Sequence, residues 1–423
     1  MIQSRATCHV PRATCHVPRA TCHVPRATCD VRRATCHVRR AALLSVSDPC
    51  IQLLSHLVAI DSVNPSLVPG AAGEGRIAAL IAGHMRALGL EVHLQEVAPG
   101  RPNVIGVLDT GTPGPSLMFC GHTDTVGVEG MAAPFDPVIR EGRLFGRGSQ
   151  DMKAGVAAMI DAARMVAERR PARGRLVVAA VIDEEFASLG ADALVREWTA
   201  SAAVVTEPTD LQIGVGHKGF TWIEIDVRGR AAHGSRPRDG RDAIMRAGRV
   251  LAALERLDRD LQARPPHPVM ETPSLHASTI SGGREWSVYP DLCRLTIERR
   301  TVSGESGAGA AAEIEALLSR LRAEDPEFDA TARVVFSRSA YETPADDPLR
   351  AALAGAATGR GLTARETGMS FWTDAAILGE AGIPSVLFGP GGAGLHSTEE
   401  YVRIDDVLAC RDVLADLATF QLR

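Results

Sequence analysis

Five residues able to hold a divalent metal, His122, Asp151, Glu185, Glu207 and His396, lie far apart in this chain. Each stands where a short apolar run gives way to a loop or a helix. Residues 117–120 (LMFC) lead into GHTD, 176–182 (LVVAAVI) into Asp183-Glu184-Glu185, 203–206 (AVVT) into Glu207, and 383–388 (IPSVLF) into GPGGAGLH. Functional groups of an open α/β sheet gather in the crevice beyond the carboxyl ends of its strands. The pattern therefore predicts four strand ends converging on one site. Each piece alone has a plain structural explanation. His122-Thr123-Asp124 is an ordinary polar pair, Glu184-Glu185 an acidic helix start favoured by the helix dipole, and His396-Ser397-Thr398 the start of a capped helix. Their setting and number together point to chemistry.

The chain has 423 residues, enough for two domains, and its 45% hydrophobic and 23% charged residues are those of an ordinary globular protein. The net charge of −5 is uneven: residues 1–40 hold eight Arg against one Asp, which leaves −12 on the remainder. An acidic main body argues against nucleic acid as a partner. There is no run of 18 apolar residues and no basic segment followed by an apolar core. Neither a membrane span nor a signal peptide is expected, and the cytoplasm is the expected compartment. Cys120 and Cys293 sit in apolar runs as buried thiols would, and no disulfide framework is visible.

RATCHVP recurs every seven residues from Arg5, and its Pro, Thr and Val leave no pair of apolar positions for a coiled coil. Adjacent Cys-His pairs without the spacing of a structural zinc site are weak ligands. Residues 1–45 read as a disordered tail translated from a tandem DNA repeat upstream of the true start.

Regular patterning begins at Asp48-Pro49, an N-cap and first helical residue, followed by Ile51, Leu54, Leu57 and Val58 on one face. A second helix fits 74–88, strands fit 90–97, 103–108 and 117–120, and a helix follows Asp151. This alternation predicts a mixed or parallel α/β sheet. After Glu207 the order becomes strand 220–227, helix 242–261, strands 275–280 and 292–297, helix 311–321, strand 332–336. That β-α-β-β-α-β order is the ferredoxin-like arrangement. It predicts a domain at 214–339 inserted into a discontinuous domain formed by 46–213 and 340–423.

Eight segments in order, GHTDTV (121–126), GRGSQDMKAG (146–155), DEE (183–185), TEP (206–208), RAAHGSRP (230–237), IERRTVSGE (297–305), SFWTDAA (370–376) and GPGGAGLHSTEEYV (389–402), carry a resemblance. Nearly the whole chain from Asp48 resembles the two-zinc metallopeptidase and deacylase superfamily of acetylornithine deacetylase, succinyl-diaminopimelate desuccinylase, aminoacylase and the glutamate carboxypeptidases. The resemblance implies a zinc-hydrolase catalytic domain with an inserted lid and dimerisation domain.

It also implies roles. His122 and Glu207 would bind one metal, Glu185 and His396 the other, and Asp151 would bridge two Zn2+, for which Co2+ or Mn2+ could substitute. Asp124 would accept from His122 and fix its tautomer. Glu184 would be the general base, and His233 would stabilise the oxyanion, supplied by a neighbouring subunit of a homodimer. Arg300 would hold a substrate carboxylate. Gly391 and Gly392 would let backbone amides approach the substrate, with Thr373 and Asp374 supporting that wall. The peptide after Asp151 would be cis. The sequence departs from many relatives in placing Trp286-Ser287 in the loop between the central strands of the inserted domain. Glu207, where aminopeptidase relatives carry Asp, favours removal of an acyl group or release of a C-terminal amino acid over aminopeptidase action. The implied reaction is removal of the acyl group from a small N-acyl amino acid. A carboxypeptidase or an N-carbamoyl amino acid hydrolase on the same scaffold is the alternative.

Overall fold

The computed structural model describes residues 47–423, so the heptad repeat lies outside the described residues. Among the described residues no helix is long and apolar enough to cross a membrane. Helix Pro49–Val58 is started by Asp48, whose carboxylate accepts the Cys50 amide at 2.9 Å, and it buries Ile51, Leu54, Leu57 and Val58. Helix Gly75–Ala87 follows, and the chain then enters a nine-stranded mixed sheet.

Four neighbours in that sheet decide where the site can form. Arg175–Val181, Ser116–His122, Ala202–Val205 and Ser385–Leu387 lie side by side in that order, and all run parallel. Their carboxyl ends therefore share one edge. Their residues are buried almost throughout, as expected of strands covered by helices on both faces. Helix Lys153–Arg169 packs across them. A Cβ on Gly155 would lie 2.0 Å from the Thr206 carbonyl oxygen, so only glycine lets the first turn of this helix touch that strand end. The Asp151–Met152 peptide just before the helix is cis.

Residues 219–338 build a second sheet with its own core. Strands Ser274–Gly282, Leu292–Thr301, Gly219–Arg228 and Asp329–Arg338 pair antiparallel in that order. Helices Ala243–Gln262 and Gly307–Glu324 cover one face, where Ile223, Ile225, Val227, Leu295 and Ile297 meet Val250, Leu254, Ile314 and Leu318. A β-bulge between Val334 and Phe336 reverses the alternation of the last strand. Ala330 and Ala332 join this helix-covered core, while Phe336 and Arg338 turn to the opposite face.

One element had no signal in the sequence. Strands Gly392–Ala393, Tyr401–Arg403, Arg143–Phe145 and Val138–Arg140 form a small four-stranded sheet. Each is two or three residues long, too short for periodicity to register. It nevertheless brings the loop carrying His396 against the segment leading to Asp151.

Candidate active site

Asp151 occupies the centre of the crevice. Its Oδ1 lies 3.1 Å from His122 Nε2 and its Oδ2 lies 3.3 Å from His396 Nε2. His122 is the last residue of strand Ser116–His122. His396 sits on the loop after Gly392–Ala393, with φ +58°. Glu185 Oε2 is 3.1 Å from His396 Nε2, and Glu184 Oε2 is 3.8 Å from His122 Nε2. Two sets of donor atoms come within 4.8 Å of one another: His122, Glu184 and Glu207, and His122, Asp151 and Glu185.

The electrostatics describe a site with too much negative charge for its own cations. Burial pushes Glu184 and Glu207 well above the usual carboxylate range; His122 draws both down, and neighbouring carboxylates push both up. Burial and then Asp151 push Glu185 up to about 7. For Asp151, burial acts upward, but hydrogen bonds from His122 and His396 outweigh it and hold the carboxyl below its ordinary value. Hydrogen bonds to Asp151 and Glu185 push His396 up to about 10. Buried carboxylates facing two imidazoles leave an excess that a divalent cation neutralises, and nitrogen with oxygen donors suits zinc. The residues present fit such a centre.

A cavity of 360 Å³ opens from this cluster. One end is lined by Asp151, Glu184, Glu185, Glu207 and His396, the other by side chains of the second sheet.

Residues 118–419 match Peptidase family M20/M25/M40. The chain belongs to that family. The match makes this M20 chain a metal-dependent amide hydrolase. It is 33% identical to an acetylornithine deacetylase of Myxococcus xanthus over 76% of this chain and 84% of that protein. It is 30% identical to the N-formyl-4-amino-5-aminomethyl-2-methylpyrimidine deformylase of Bacillus subtilis over 86% and 93%. It is also 30% identical to a succinyl-diaminopimelate desuccinylase of Gluconacetobacter diazotrophicus over 88% and 97%. A dinuclear metal-binding M20 peptidase of Bacillus subtilis shares the fold, with TM-score 0.69 at 18% identity over 88% of this chain and 97% of that one.

Within this M20 chain the other sequence-predicted residues fall into two groups. Asp124 lies beneath the site, but His122 Nδ1 is nearer its main-chain oxygen (3.0 Å) than its carboxylate (3.5 Å). The carboxylate instead accepts the Glu184 and Glu185 amides, both at 3.2 Å, and so holds the loop that carries them. Arg300 lines the cavity, donates to the Ser370 carbonyl at 2.8 Å and has Glu298 at 3.5 Å. The remaining expected residues stand off the cavity lining. The Gly391 amide donates to Asp406 at 3.2 Å, and Gly392 pairs with Val402, so both backbones are engaged within the fold. Thr373 and Asp374 are buried behind Phe371 and Trp372, and it is those two rings that form the wall. His233 is exposed, bonded to Ser235 Oγ at 2.8 Å, and does not line the cavity of its own chain.

Several positioning residues had escaped the sequence reading. The buried Glu400 carboxylate accepts from Arg147 (2.7 Å) and from the amides of Gly148, Gln150 and Asp151 (3.0, 2.8 and 3.1 Å), which fixes the approach to Asp151. Arg101 clamps Glu74 at 2.6 and 2.7 Å and reaches Asp183 at 3.0 Å. Asn64 ties Asp183 to Asp124, at 3.0 and 2.8 Å. The signal available for Glu400 was its place four residues after His396 in a matching segment. For Glu74, Arg101 and Asn64 there was none.

Proposed function

We propose that this M20 hydrolase removes the acyl group from a small N-acyl amino acid at a two-metal centre. The observation that carries the reading is the Asp151 carboxylate held between His122 and His396, one oxygen to each. Asp151 is the bridging ligand, His122 and Glu207 complete one site, and Glu185 and His396 the other. Zinc is the proposed metal, with cobalt or manganese as substitutes. When bound, the metals polarise the scissile carbonyl and ease deprotonation of the attacking water.

Glu184 is the general base. It takes a proton from the water and returns it to the departing amine, a transfer suited to a carboxyl whose burial keeps its proton affinity high. Glu184 Oε2 stands 3.8 Å from His122 Nε2, close enough to the centre to reach a water held there, as a general base must. Asp124 aims Glu184 and Glu185 through their amides. Arg300 receives the substrate carboxylate. The relatives' printed names, a deacetylase, a desuccinylase and a deformylase, support deacylation. The cavity volume suits a small molecule.

The inserted domain, residues 219–338, acts as lid and dimerisation domain, while strand Ile213–His217, inside the expected boundary of 214, pairs into the nine-stranded sheet. Its edge strand Ser274–Gly282 exposes Ile280, with Met245 and Trp286 exposed beside it, which supports a homodimer. His233 then serves the partner copy's site. Cys50, Cys120, Cys293 and Cys410 are buried free thiols, which supports a cytoplasmic enzyme.

The test loads the protein with zinc or cobalt and screens N-acetyl, N-succinyl, N-formyl and N-carbamoyl amino acids. Turnover that Glu184→Gln abolishes while two metal equivalents stay bound is the expected result. Full metal occupancy with no turnover of any amide sinks the reading.

A further inference from the structure

Three adjacent strands of the second sheet place six side chains on the face away from its helices. Register pairs Phe220 with Arg300 on one side and Arg338 on the other, and pairs Trp222 with Glu298 and Phe336 in the same way. All six line the cavity. They form two rows of three, with aromatic rings along the central strand. Phe186, Phe371 and Trp372 line the cavity from the rest of the chain. The chain holds only 10 Phe, 4 Trp and 3 Tyr, and six of these rings surround one 360 Å³ space.

Part of this cluster is core: Phe220 and Trp372 are 7% and 9% exposed and pack on Ala191, Ala376 and Ile377. Trp222, Phe336 and Phe371 are only half-buried, and Phe186 is exposed. Half-buried rings that face a cavity leave apolar area in water that a ligand would cover. Their faces are held ready. Trp222 Nε1 donates to Glu298 at 2.9 Å and Trp372 Nε1 donates to the Ser339 carbonyl at 3.0 Å, so both indoles have spent their polar atoms. Phe186 follows Glu185 directly, and its ring meets that of Trp222 at a centroid separation of 6.3 Å, so the two share one continuous apolar surface. Trp222 and Phe336 sit 5.6 Å apart on the grid. These separations lie within the range of ring-to-ring contact.

We infer that the substrate carries a flat aromatic ring, bound against the apolar surface that Trp222, Phe336 and Phe186 form together, with its amide delivered to the Asp151 end. This specifies the substrate of the deacylation proposed above and rests on that site assignment. The ring belongs either to the acyl group or to the amine, and two pairs of compounds separate these cases. N-benzoylglycine against N-cyclohexanecarbonylglycine tests the acyl side, and N-formylphenylalanine against N-formylcyclohexylalanine tests the amine side. Each pair differs in flatness at nearly equal size.

Calorimetric binding to the zinc-loaded Glu184→Gln protein is read first, then kcat/KM of the wild type. The aromatic member of at least one pair should bind about tenfold tighter, as one or two stacked ring contacts allow. Trp222→Leu and Phe336→Leu should each lower that preference, while Trp222→Phe retains most of it. Equal affinity within both pairs overturns the inference, as does a preference that survives both Leu variants. If aromatic compounds bind selectively but no amide is turned over, the deacylase reading fails and the ring site stands. If aliphatic amides are hydrolysed and neither pair discriminates, the reverse holds.

Discussion

The two walls of the cavity are built by opposite means. On the nine-stranded side, reactive groups sit past the ends of parallel strands, on loops that bonds from Glu400, Asp124 and Arg101 hold in place. On the other side, the groups project from the middle of antiparallel strands, and register places them in rows. Strand ends gather charge from distant parts of the chain. A strand face offers a rigid surface whose shape is set by neighbours. The first suits bond breaking and the second suits choosing what is broken.

The sharpest way to break this comparison is to strike each wall and watch different constants. Glu184→Gln should cut kcat by about 10²- to 10⁴-fold with little change in KM, as loss of a positioned proton carrier does. A large KM effect with kcat preserved would remove the division of labour. Glu400→Gln comes next. It strips charge from the acceptor of Arg147 and three amides, and should weaken metal affinity about 10- to 100-fold and stability by about 1–3 kcal/mol. Metal titration followed by calorimetry checks both. On the opposite wall, Phe336→Leu should raise KM for the preferred substrate several-fold and leave metal content unchanged.

A gentler effect concerns pH. Glu185 titrates near 7 in the folded chain, because burial and Asp151 raise it, and near ~4.3 when unfolded. The folded state therefore holds the proton more tightly. Its contribution to stability is complete below about 4.3 and is lost as pH rises through 7. Glu184 and Glu207 shift the same way. Thermal melts of metal-free protein should fall in Tm between pH 5 and 7.5, and bound zinc should flatten the trend. A Tm that climbs over that interval without metal contradicts the assigned electrostatics. The smallest effect belongs to Trp286, which is fully exposed. Trp286→Ser should change stability by less than about 0.5 kcal/mol, and sedimentation would show whether it weakens a dimer.

The same contrast explains what could be read from the sequence. His122, Glu185, Glu207 and His396 each follow an apolar run, so strand, turn and candidate ligand appear within a dozen letters, and Asp151 stands just before a helix. Their convergence follows from parallel strands sharing an edge. The aromatic grid appears in FTWIEIDV only as Phe220 and Trp222 two apart, on the strand face that also carries Glu224 and Asp226. Which face meets helices, and that Arg300, Glu298, Arg338 and Phe336 stand beside them, depends on pairing across 70 to 120 residues. Gly391, Gly392, Thr373 and Asp374 adjoin the site in sequence, and strand pairing and burial keep them off the cavity lining, which spacing alone does not reveal.

The bulge at Val335 sets how this wall can tolerate insertions and deletions. Because Val335 is the extra residue between Val334 opposite Ile223 and Phe336 opposite Trp222, removing it would regularise the strand and leave Phe336 and Arg338 facing the cavity. Removing one residue from the middle of Gly219–Arg228 would instead exchange its inner and outer faces beyond the cut. Changes of length in this family of sequences should therefore accumulate at the first position and be purged at the second.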